Sequence, residues 1–131
     1  MKRLCALLAL CACTAPQPPP GSAGPAEAVQ DLAAALQKGD ANTAWSLLST
    51  RTRQQADEIA LRARAFAADG GPESGRAMLF ASALPGRAPD ARVVSLSGDS
   101  AEVRTSDDGG ERTFRVVRES GRWRVDLDLP R

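Results

Sequence analysis

Between Pro25 and Ala88 the apolar residues of this chain recur at every third or fourth position; from Pro89 onward they recur at every second. That change of period constrains the fold more than any other feature. A period of 3.6 gathers apolar side chains on one stripe of a helix, and a period of 2 gathers them on one face of a strand. The first half therefore reads as helices. Pro25 suits a first helical turn, Val29, Leu32, Ala33 and Leu36 form a stripe, and Gly39 stops it. Asp40 caps a short second helix, Ala41 to Leu48, with Ala44, Trp45 and Leu48 on one side. Ser49 or Thr50 caps a third, whose apolar face is Ala56, Ile59, Ala60, Ala63, Phe66 and Ala67, and Gly70-Gly71-Pro72 ends it. A fourth covers Ser74 to Leu84 and is ended by Pro85-Gly86.

The second half reads as four strands. Arg92 to Ser97 comes first, and Ala101, Val103 and Thr105 then alternate with Glu102, Arg104 and Ser106. Phe114 and Val116 follow after the turn Asp107-Asp108-Gly109-Gly110. After Glu119-Ser120-Gly121, Trp123, Val125, Leu127 and Leu129 point inward while Arg124, Asp126 and Asp128 point outward. Short turns between alternating strands make an antiparallel meander with one apolar and one charged face, the latter carrying Arg104, Arg115, Arg118 and Arg124. The expected class is α+β: N-terminal helices packed on the apolar face of a curved, four-stranded antiparallel sheet.

The N-terminus belongs to neither half. Lys2 and Arg3 precede nine unbroken apolar residues, Leu4 to Ala12, the length of a secretory leader and too short to span a bilayer. All three cysteines, Cys5, Cys11 and Cys13, fall in the first thirteen residues. Two thiols in a C-x-C pair, in a chain without histidine, make a poor tetrahedral metal site, and the rest of the chain offers no disulfide partner. The stretch Leu10-Cys11-Ala12-Cys13 instead resembles a bacterial lipobox. The resemblance implies cleavage before Cys13 and diacylglyceryl attachment to it. The organisation expected is a lipoprotein signal peptide at 1–12, a lipidated cysteine with a proline-rich tether at 13–25, and one α+β domain at 26–131. Thr14 after Cys13 implies, by the enterobacterial sorting pattern, the outer membrane facing the periplasm; plain secretion or a periplasmic location is the alternative.

The domain's order of elements resembles the NTF2-like superfamily of cone-shaped α+β folds. The opening AVQDLAAALQKGDANTAWSLLS is similar to its helix, Gly-Asp, helix start, and Val117 to Asp126 to its terminal hairpin in small exported members. Enzymes of that superfamily (isomerase, dehydratase or hydrolase types) place carboxylates, tyrosines or histidines inside the cone. This chain has no histidine and no tyrosine, and none of its carboxylates shares phase with an apolar face: Asp31, Asp57 and Glu58 lie off their stripes, and Glu102, Asp126 and Asp128 alternate outward. The expectation is a domain with no catalytic residue, metal or cofactor; the alternative is an enzyme acting on a small apolar substrate. Trp45, Phe66, Phe80, Phe114 and Trp123, with Arg112 at a strand end, are the candidate lining of a ligand pocket, and equally the candidate core. Seventeen basic against sixteen acidic residues leave a net charge of +1 and no basic stripe for nucleic acid. The partners expected are the membrane through the anchor and a small apolar ligand or envelope protein. A heavily charged sheet exterior favours a monomer over a dimer.

Overall fold

The structure is a computed structural model that describes residues 19–81 and 89–131. The leader, Cys13 and the expected end of the fourth helix at Leu84 to Gly86 lie outside the described residues. Four helices, α1 (Pro25–Lys38), α2 (Ala41–Ser46), α3 (Thr50–Phe66) and α4 (Gly75–Leu79), precede four strands, β1 (Asp90–Ser97), β2 (Ser100–Asp107), β3 (Gly110–Glu119) and β4 (Arg122–Asp126). The strands form one open antiparallel sheet in the order β1-β2-β3-β4. The α+β class and the meander are as the periodicity predicts.

Local chemistry sets the helix ends. Asp40 accepts hydrogen bonds from the Thr43 amide at 3.0 Å and the Thr43 hydroxyl at 2.6 Å, which fixes the start of α2. Ser49 caps α3 through the Thr52 amide at 3.1 Å, and Ser74 caps α4 through the Ala77 amide at 3.1 Å. The third helix stops at Phe66, before the expected glycines, and α4 is shorter than its stripe implies. Helix α4 lies very close to α3, because a Cβ on Gly75 would meet the backbone of Ala56 and Asp57 at 2.5 Å. Only glycine allows that approach.

Helix α1 packs across all four strands. Its buried residues Ala28, Val29, Leu32 and Ala35 meet Ala101, Val103, Val116, Trp123 and Val125 from the sheet, with Ala44, Leu47 and Leu48 closing the core. Four of these twelve core residues are alanines, three of them on helices, so close helix–sheet approach contributes to filling the interior. At about 25 cal/mol per Å² of apolar area removed from water, this burial is the main stabilising term.

The two edges of the sheet differ. Along β4, Ser22 pairs with Trp123 by two backbone hydrogen bonds of 2.9 Å, and Leu47 and Ser49 pair with Val125 by two of 2.8 Å. The strap at Gly21–Gly24 is thus part of the fold, although its composition reads as tether. Gly21 has φ +101°, and a Cβ there would meet the Cβ of Arg122 at 2.7 Å. Among the described residues nothing pairs with the opposite edge, the eight-residue β1, and its irregular register between Val93 and Ser95 marks a bulge. Val93, Val94 and Leu96 are exposed there.

Two expectations about the sheet's faces need correction. Arg118 does not belong to the charged face: it stands directly opposite Trp123 in the β3–β4 register, on the same side as the core. It escapes at the rim, with its guanidinium 5.5 Å from the Trp123 ring centroid and 2.6 Å from Asp99. Arg124 and Asp126 do face away from α1, yet both are buried, because the first turn of α3 lies over that end of the sheet.

Candidate functional site

The polar residues buried by this second packing form the most developed cluster among the described residues. It begins with the sequence Leu48-Ser49-Thr50-Arg51-Thr52-Arg53, whose first residues run along β4 before the helix starts. The Ser49 hydroxyl accepts from the Thr52 amide and donates to Asp126 Oδ1 at 2.5 Å. Arg51 grips the same carboxylate with two donors, Nε to Oδ1 at 3.1 Å and Nη2 to Oδ2 at 2.9 Å. Arg115 adds its charge 3.7 Å from Oδ2. Thr52 Oγ1 accepts from the Leu127 amide at 2.8 Å, tying the chain beyond β4 to the helix.

Burial by itself pushes the Asp126 carboxyl up. The hydrogen bonds from Arg51 and Ser49, with the charges of Arg51 and Arg115, outweigh burial and hold it below the usual carboxylate range. Asp126, only 3 % exposed in its side chain, therefore stays ionised. Its oxygens accept from Ser49 and Arg51, which clamps the start of α3 to β4.

A second acid holds the next amide of the helix. Glu119, at the end of β3, accepts from the Thr50 amide at 2.9 Å and from the Thr50 hydroxyl at 2.9 Å. Arg124 Nη1 lies 3.6 Å from Glu119 Oε2, and Arg53 Nη2 reaches Thr50 Oγ1 at 3.4 Å. The start of α3 is thus ringed by acids that its amides need and by arginines that those acids attract.

The aromatic residues named from the sequence do not form a common lining. Trp123 is buried in the core, and Trp45, Phe80 and Phe114 pack half-buried against it. Phe66 is 90 % exposed, because the last turns of α3 run past α4 with no other described element over them. Arg112 is exposed at the strand end, where its carbonyl accepts from Thr105 Oγ1 at 3.4 Å. Cys13 lies outside the described residues.

A groove of about 810 Å³ is lined by other groups. It runs between the strap, α1 and α2, with Pro20, Asp31, Lys38, Thr43 and Arg122 on its walls. Asp31 there accepts from the Ser22 hydroxyl at 2.6 Å, and Arg122 donates to the Gly21 carbonyl at 2.8 Å. Asp40, beside it, is held below the usual range by the Thr43 hydroxyl and amide. These contacts serve the strap. No sequence signal marked this groove, since it depends on Ser22 docking against β4. Among the described residues no group of three or more histidine, cysteine, aspartate or glutamate side chains is arranged to hold a metal ion.

Compared with known proteins, the chain matches no protein-family model and no curated protein.

Proposed function

We propose that this protein is a bacterial lipoprotein, anchored through Cys13 in the outer membrane facing the periplasm, whose α+β domain is of the NTF2-like type and binds rather than catalyses. The anchor reading rests on the basic start, the apolar run Leu4 to Ala12 and the sequence Leu10-Cys11-Ala12-Cys13. Several acyl chains on one cysteine give firm attachment without a membrane-spanning segment. Among the described residues no helix is long and apolar enough to cross a membrane.

The observation that supports binding over catalysis is the placement of the carboxylates. Asp126, the one buried carboxylate among the described residues, has its oxygens committed to Ser49 and Arg51 and lies on the sheet face away from the core. Asp57, Asp69 and Glu73, whose burial in a cavity would favour an enzyme, are exposed. A general acid or base works best with a pKa near the operating pH and within reach of a bound substrate, and Asp126 has neither. The ligand class that fits this reading is a small apolar molecule or an envelope protein met at the membrane surface.

Membrane fractionation of Cys13→Ser tests the anchor. The variant is expected in the soluble fraction with no acyl label; unchanged membrane fractionation and labelling would refute attachment through Cys13.

A further inference from the structure

Among the described residues, three buried side-chain polar atoms have no hydrogen-bond partner, and all three are arginine Nε atoms: those of Arg53, Arg122 and Arg124. Two of them belong to one place. Arg122 turns its guanidinium to the Gly21 carbonyl of the strap, whereas Arg124 Nη1 is 3.6 Å from Glu119 and Arg53 bonds the Thr50 hydroxyl that bonds Glu119. Two guanidinium groups therefore flank one carboxylate at the N-terminus of a 17-residue helix.

Glu119 cannot satisfy them. Its oxygens already accept from the amide and hydroxyl of Thr50. Arg124 is the extreme case, with a side chain only 10 % exposed and 3.6 Å from its nearest acid, beyond hydrogen-bond length. A buried guanidinium with five donors needs charged acceptors, and its burial is costly without them. The positive end of α3 adds to the same field.

From this convergence we propose that the junction of α3 and the β3–β4 hairpin is an oxyanion site, in which Arg53 and Arg124 bind a phosphate group. A planar guanidinium offers paired donors to phosphate oxygens, and the ligand supplies the negative charge that Glu119 alone does not. Arg53 is half-buried and forms the entrance, and Arg124 forms the floor. The phosphate comes either from a soluble phosphate ester or from an anionic lipid headgroup. The site does not depend on the anchor.

The test uses the full Cys13→Ser chain, so that acyl attachment plays no part. Thermal unfolding is followed with inorganic phosphate against chloride at equal ionic strength, and sedimentation is measured with phosphatidylglycerol against phosphatidylcholine vesicles. A saturable rise in Tm with phosphate, weakened about tenfold or more in apparent affinity by Arg124→Met and by Arg53→Met, establishes the site with a soluble source. Binding only to phosphatidylglycerol vesicles, lost in the same two variants, establishes it with a headgroup source. Arg104→Met, on the far part of the sheet, leaves either response unchanged. Arg53→Met, on the half-buried rim, carries the test if Arg124→Met fails to fold. A phosphate response equal to that of chloride together with no preference for phosphatidylglycerol, or a response that both variants retain, overturns the proposal.

Discussion

On one face of β4, Trp123 and Val125 are buried by carbon; on the other, Arg124 and Asp126 are buried by charge. The two burials obey different rules. The apolar side needs only volume, which α1 and the Leu47–Leu48 segment provide. The polar side needs every donor and acceptor to find a partner. Asp126 meets that condition through Ser49 and Arg51, whereas Arg124, two residues away, does not. A strand can therefore be fully buried on both faces while only one of them belongs to the hydrophobic core.

The largest expected effect is on the apolar face. Trp123→Ala removes a buried ring and is expected to destabilise the domain by about 3–5 kcal/mol in denaturant unfolding; a near-wild-type transition would mean that the ring is not core. On the polar face, Asp126→Ala leaves Ser49 and Arg51 without their acceptor and is expected to cost about 2–3 kcal/mol, less than a fully buried pair because Arg51 is 46 % exposed. Ser49→Ala loses the cap of α3 and one bond to Asp126, an effect of about 1–2 kcal/mol by the same measurement. Phe66→Ser, on the exposed end of α3, is expected within about 0.5 kcal/mol of wild type, and a large loss would show that the ring is covered in solution.

Acid sharpens the same contrast. The Asp126 carboxyl titrates lower in the folded protein than in the unfolded chain, so its contribution is fully present above the unfolded value of about 3.9. It is lost as pH falls from there through the depressed folded value. Asp126→Asn is expected to flatten the acid limb of the stability curve, and an unchanged limb would assign that limb to other carboxylates.

Much of this architecture was legible in the sequence because it depends on neighbours along the chain. The caps Asp40 and Ser49, the turn at Asp107 to Gly110, and the alternation of β2 and β4 are all local signals. What was not legible depends on which element lies over which. Period 2 assigns Arg124 and Asp126 to the face away from α1 but says nothing about α3 covering them. The stripe of α3 includes Phe66, but a stripe does not state how far its partner extends. Ser22 sits between glycines and prolines, a composition that favours flexible tether, yet two hydrogen bonds to Trp123 and one to Asp31 dock it. The polar site is hidden for the same reason, since Thr50, Glu119 and Arg124 meet only when the chain folds back across about seventy residues.

Intact mass of the mature protein's N-terminal peptide, released from the membrane fraction, tests the proposed role most directly. The expected peptide begins at Cys13 and carries a diacylglyceryl thioether on its sulfur. A peptide that begins elsewhere, or one that begins at Cys13 with a free thiol, would contradict attachment by this residue.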